Sequence, residues 1–161
     1  MALTTTGIAI QILSSIRAFR ENPSRCTVND CKVVVNHLIR KFSEPLGRDG
    51  EAAVKKSKSV FMDKEGSSNI IREHAVPVIV LLEELLELDE KSLVASEENV
   101  EWIEKFLRES LLLVEVTREE DRQLSRKGFQ RDMPDGWRDE TNNLYRDPLA
   151  RYKECGIEVV N

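Results

Sequence analysis

The chain has 161 residues and a net charge of −5, with 40% apolar and 33% charged residues. This length suits one domain with a substantial core, and the composition is typical of a soluble globular protein. The sequence has no run of about eighteen apolar residues, so we expect no membrane span. It also lacks a basic start followed by an apolar run, so we expect no secretory signal. Cys26, Cys31 and Cys155 are odd in number and lack CxxC spacing, which predicts reduced thiols in a cytoplasmic protein without a zinc site.

The charge is unevenly distributed along the chain. Residues 1–72 contain 12 Lys and Arg against 7 Asp and Glu, which gives +5, whereas residues 73–161 contain 12 against 22, which gives −10. Much of the acidic excess lies in one stretch that includes Glu83 and Glu87. An acidic surface repels nucleic acid and suits either a basic protein partner or plain solubility. We therefore expect Glu83 and Glu87 to face solvent or such a partner.

Three helices are predicted before residue 66. Thr4–Thr6 cap the first, and Thr27 with Asp30 begins the second. Both have apolar residues every three or four positions: Ile8, Ile12, Ile16 and Phe19 in the first, and Cys31, Val34, Val35, Leu38, Ile39 and Phe42 in the second. A short turn between them predicts an antiparallel pair. Residues 49–64 predict a third, weaker helix that Gly66 ends.

The most apolar stretch is Ile70–Leu88, and it admits two interpretations. In one, Ser67 or Ser68 caps a long helix that Pro77 kinks. In the other, residues 70–76 are extended and Pro77 is the first residue of a new helix. We favour the second, because a residue before proline avoids the helical region. Both interpretations make residues 78–88 the central helix, in which we expect Leu81, Leu82 and Leu85 to be fully buried.

The chain beyond residue 88 is predicted to be helical at first and irregular later. Ser96 caps a helix, and residues 111–116 either end it or form a short strand. Thr117 and Glu120 form a capping box that opens another helix, which Gly128 ends. Residues 129–147 are rich in Pro, Gly, Asp and Asn, a composition typical of an irregular segment. A short terminal helix at 148–155 and a strand at 157–160 complete the chain.

Together these elements predict a mainly α protein. We expect a compact bundle of about five to seven helices with at most one short strand pair, in a single domain that spans residues 1–161. The irregular segment 129–147 carries three large side chains, Met133, Trp137 and Tyr145. Because aromatic residues dominate the energetics of protein interfaces, these three are candidates for contacts with a partner.

One short motif resembles a known enzyme family. The sequence Glu73-His74-Ala-Val-Pro77 is similar to the acidic-His-x-x-Pro opening of HNH (His-Me finger) nucleases, and residues 116–122 are similar to the closing helix of that motif. The resemblance implies that His74 activates water, while Glu73 and Asp121 hold one divalent cation. Asp121 stands where the family usually has a histidine, and a long apolar helix separates the two parts.

No other catalytic constellation is present, which favours a protein that is not an enzyme. We expect it to act by protein–protein binding, without a cofactor, and its size and acidity resemble those of small inhibitor, immunity or antitoxin-like proteins of microbes and phages. The alternative is a divergent HNH-like metal-dependent nuclease, for which the divalent metal would be required. The sequence disfavours membrane and nucleic-acid partners and leaves homo-oligomerisation open.

Overall fold

A computed structural model describes residues 3–48, 54–66 and 69–160. These residues divide into two compact units, of which the first takes in residues 3–48 and 81–109 and the second takes in residues 54–80 and 110–160 where they are described. Within the described residues, no helix is both long and apolar enough to cross a membrane.

The first unit is helical. Its elements are α1 (Thr5–Glu21), α2 (Val28–Arg48), most of α4 (Val78–Leu86) and nearly all of α5 (Glu97–Ser110). Thr4 caps α1 through its hydroxyl, as predicted. The apolar stripe of α1 packs against α2, and Leu81, Leu82 and Leu85 are fully buried, which confirms the prediction for the central helix. Arg20 connects α1 to the end of α4, because its guanidinium donates a hydrogen bond of 2.6 Å to the carbonyl oxygen of Leu86.

The second unit contains a four-stranded mixed sheet. In chain order, the elements are β1 (Val54–Ser57), α3 (Lys58–Met62), β2 (Ile70–His74), β3 (Leu113–Thr117), α6 (Arg118–Arg126), a 3-10 turn (Asp135–Trp137), α7 (Ala150–Glu154) and β4 (Val159–Val160). The strand order is β2-β3-β1-β4; β1 and β3 are parallel, and the other two pairs are antiparallel. A buried core cluster of this unit combines Val114 and Val116 of β3, Leu124 of α6 and Tyr152 of α7 with Ala75 and Ile157 from the connecting segments.

The prediction of a mainly α bundle with at most one strand pair is wrong, because the chain is mixed α/β with a four-stranded sheet. The main error concerns residues 49–64, which were predicted to be helical. Residues 54–57 instead form the inner strand β1, residues 58–62 form the short helix α3 within the predicted range, and residues 49–53 lie outside the described residues. Lys55 and Lys56 carry little strand signal, and both partners of β1, strands β3 and β4, lie some sixty residues or more further along the chain. Strand formation depends on such cross-strand packing more than on local propensity.

Other local predictions are confirmed. Residues 70–74 are extended, as the preferred interpretation states, and α4 begins at Val78, one residue after the Pro77 start that this interpretation gives. The proposed caps Ser67 and Ser68 lie outside the described residues. The capping box of Thr117 and Glu120 is present at the start of α6. Gly128 follows that helix with φ of +82°, a backbone conformation that favours glycine.

Candidate functional site

Glu73 lies near the end of β2 and is bound by two side chains from α7. Arg151 places Nη2 3.0 Å from Glu73 Oε1, and the hydroxyl of Tyr152 donates to the same oxygen at 2.7 Å. The Arg151 side chain is 2% exposed and that of Glu73 is 18% exposed. The ion pair is therefore largely removed from water, where both its strength and the cost of breaking it are increased.

Arg151 also connects three backbone segments. Its Nε donates to the carbonyl oxygen of Ala75 at 2.7 Å, its Nη1 donates to that of Phe129 at 2.7 Å, and its Nη2 donates to that of His74. The planar guanidinium carries five donors, which is why one buried arginine can serve a carboxylate and several carbonyls together. This arrangement fixes the end of β2, residue 129 and α7 to one another.

Glu73 and Asp121, the two carboxylates that the nuclease resemblance assigns to a metal ion, interact electrostatically. Burial raises the pKa of Glu73 above its usual 4.5, the charge of Arg151 and the hydrogen bond from Tyr152 oppose this rise, and the charge of Asp121 adds to it. Burial also raises the pKa of the Tyr152 phenol, so it remains a hydrogen-bond donor at neutral pH.

His74 is placed differently from these two carboxylates. It is the last residue of β2, and successive side chains of a strand point to opposite faces of the sheet. Ile71 packs on the core face, so Glu73 shares that face and His74 points away from it. Among the described residues, no group of three or more His, Cys, Asp and Glu is arranged to hold a metal ion.

The predicted partner contacts in residues 129–147 differ in accessibility. Met133 and Trp137 are buried, whereas Tyr145 is 40% exposed. The Arg146 guanidinium lies 4.6 Å from the centre of the Trp137 ring and 5.9 Å from that of Tyr145, within the range of cation–π attraction. Trp137 therefore anchors the segment, and Tyr145 remains available at its surface.

The acidic stretch of the first unit carries an aromatic pair that the sequence analysis did not single out. Glu83 and Glu87 are exposed, as predicted for solvent or a partner. On α5, Trp102 is 47% exposed and stacks on Phe106 with ring centres 5.2 Å apart and planes 6° apart. The sequence signal for this stacked pair is the spacing of four residues, which brings two aromatic side chains together on the surface of a predicted helix.

A cleft in the second unit was also not anticipated. It has a volume of about 580 Å³ and runs beside the start of α6, and its lining includes Lys58, Met62, Glu120, Gln123, Ile157 and Glu158. Glu120 is only 9% exposed although it is charged. The capping box predicted its local role, but the sequence alone did not predict that Ser57, sixty-three residues earlier, would contact it.

No protein-family model, curated protein or solved structure matches this chain.

Proposed function

We propose that this protein acts by binding a basic protein partner through the surface of α5 around Trp102. The observation that carries the proposal is an exposed tryptophan, stacked on Phe106, next to carboxylates that form no ion pair with any described residue. Tryptophan is among the residues most enriched at the energetic centres of interfaces. A Trp ring that is already held in place by a neighbour loses little conformational freedom when a partner covers it.

The charges around Trp102 determine the kind of partner. Glu98 lies one helical turn before Trp102 and Glu101 is adjacent to it; both are exposed, and the described residues give neither an ion-pair partner. Lys105 is engaged with Glu109 at 3.9 Å. Residues 83–104 contain nine Asp and Glu against one Lys. Such a surface attracts a basic partner over a distance of about 10 Å at moderate salt, and the Trp face adds cation–π attraction.

The test is site-specific crosslinking from α5. A photoreactive phenylalanine analogue at position 102, in cells that express the full chain, is expected to crosslink to one polypeptide with an excess of Lys and Arg. Glu98→Gln combined with Glu101→Gln should reduce this product, because it removes two charges and changes neither the crosslinker at position 102 nor Phe106. The same analogue at position 61, an exposed phenylalanine of the second unit, is the matched control. Equal crosslinking from both positions, or crosslinks only to nucleic acid, would contradict the proposal.

A metal-dependent nuclease is the second candidate, and one observation supports it. Strand β2 is antiparallel to β3, α6 follows β3 directly, and the charge of Asp121 acts on Glu73. The donors do not fit a divalent cation as they are arranged, because Glu73 Oε1 already contacts Arg151 and Tyr152. We expect Mn²⁺ to cause no saturable line broadening at Glu73 or Asp121 in NMR spectra. Saturable broadening together with DNA cleavage that His74→Ala abolishes would favour the nuclease instead.

A further inference from the structure

The cleft beside α6 is lined by a largely buried carboxylate, Glu120, of which one oxygen is hydrogen-bonded within the described residues. Glu120 Oε2 accepts a hydrogen bond from the Ser57 hydroxyl at 2.7 Å and another from the Thr117 backbone N–H at 2.9 Å. Glu120 Oε1 accepts none from the part of the chain that the structure describes. Glu120 lines the cleft, and because its Oε1 has no hydrogen-bond partner among the described residues and is not fully buried, this oxygen is open to solvent.

The nearby cations already have partners. Lys58 lies 3.1 Å from Glu158, and Arg122 and Arg126 each lie 3.5 Å from Glu119. No cation among the described residues forms an ion pair with Glu120, in contrast to Glu73 with its Arg151. A carboxylate that is nine-tenths buried gains more from a cationic partner than an exposed one does, because less water competes for it.

The rest of the cleft suits a side chain with an apolar stem and a planar cationic head. Met62 is 61% exposed although it is apolar, and Ile157 forms a buried part of the wall. Gln123 lies one turn after Glu120 on the same face of α6, and its side-chain amide oxygen is a second hydrogen-bond acceptor. Arginine presents several donors in one plane above a chain of three methylene groups, so it can use both acceptors and cover Met62.

We infer that this cleft binds an arginine side chain of a protein partner, with the guanidinium at Glu120 Oε1. This site lies in the second unit and is independent of the α5 surface, so either proposal can fail without the other.

The experiment is an NMR titration of the full chain with the peptide acetyl-Gly-Arg-Gly-amide. We expect saturable shifts centred on the backbone amides of Thr117, Glu120 and Gln123. The same peptide with citrulline, which has the same shape without the charge, should bind at least about tenfold more weakly, because a hydrogen bond to a charged group is worth more than a neutral one. Trp102→Ala should bind the arginine peptide as the wild type does, which separates this test from that of the α5 surface.

Two single substitutions complete the test. Glu120→Gln should weaken binding of the arginine peptide at least about tenfold while keeping the helix start, since glutamine also serves in a capping box. Glu154→Gln removes the same charge from an exposed position of α7 that does not line the cleft, and should change binding by less than about twofold. Equal binding of the arginine and citrulline peptides, or unchanged binding by Glu120→Gln, would overturn the inference.

Discussion

Glu73 and Glu120 are both shielded carboxylates of the second unit, but they are stabilised in different ways. Glu73 has a cation from its own chain, Arg151, and a hydrogen bond from Tyr152. Within the described ranges, Glu120 is held by hydrogen bonds alone, from Ser57 and Thr117, at the positive end of α6. A carboxylate with an internal cation is committed to the fold, whereas one with an unused oxygen at a cleft remains available to an external cation.

The largest expected effect comes from removing the internal cation. Arg151→Met keeps most of the buried volume, but it leaves Glu73 without a cation and three carbonyl oxygens without their donor. We expect a loss of about 3–5 kcal/mol in the free energy of unfolding, measured by urea denaturation, because breaking a buried ion pair leaves an uncompensated charge.

Arg126→Met is the matched control for that substitution. Arg126 forms an exposed ion pair with Glu119 at 3.5 Å, and exposed pairs contribute about 1 kcal/mol or less. Similar losses for Arg126→Met and Arg151→Met would show that the internal cation does not distinguish Glu73 from Glu120.

A smaller effect is expected from Ser57→Ala, on the other side of the comparison. The Ser57 hydroxyl accepts from the Val60 N–H at the start of α3 and donates to Glu120, so its loss removes a helix cap and one bond to the carboxylate. We expect a loss of about 1–2 kcal/mol. Ser59→Ala, at an exposed position on the same cleft, should change the free energy of unfolding by less than about 0.5 kcal/mol. A loss above about 3 kcal/mol for Ser57→Ala would mean that hydrogen bonds alone hold Glu120 as firmly as Arg151 holds Glu73.

Local chemistry made parts of this unit predictable from the sequence. Pro77 restricts the residue before it, so residues 70–74 were correctly predicted to be extended. Thr117 and Glu120 are three residues apart, which is the spacing of a capping box, and this capping box was predicted correctly. In both cases the determining residues are neighbours in the sequence.

The parts that could not be predicted depend on distant residues. Val54 of β1 pairs with Leu113 of β3, fifty-nine residues later. Because β1 depends on this distant pairing and its own residues carry little strand signal, the four-stranded sheet was not predicted. Glu73 meets Arg151 and Tyr152 nearly eighty residues later, and Ser57 meets Glu120 sixty-three residues later. The resemblance to HNH nucleases implied that Glu73 and Asp121 lie together, but nothing in the sequence predicted the Arg151 guanidinium beside Glu73. A single sequence gives no measure of such pairings, since they arise only when the chain folds.

The smallest expected effect is a change in the titration of Glu73. Burial raises the pKa of Glu73 above 4.5, and the hydrogen bond from Tyr152 lowers it while the charge of Asp121 raises it. Carboxyl ¹³C NMR should therefore show a midpoint above 4.5 in the wild type, a higher pKa in Tyr152→Phe and a lower one in Asp121→Asn. A wild-type midpoint at or below 4.5 would contradict the importance of burial at Glu73.

The same shift has a defined sign for stability. The folded protein binds the Glu73 proton more tightly than the unfolded chain does, because the pKa of Glu73 is raised on folding. The contribution of this group to the free energy of unfolding is therefore largest below pH 4.5, and it decreases as the pH rises through the raised pKa. Glu73→Gln cannot ionise, so its stability relative to the wild type should improve over that pH interval, as measured by urea denaturation at each pH. If the stability of Glu73→Gln relative to the wild type stays constant with pH, Arg151 compensates the Glu73 charge completely. Glu73 would then contrast still more strongly with Glu120, which forms no ion pair among the described residues.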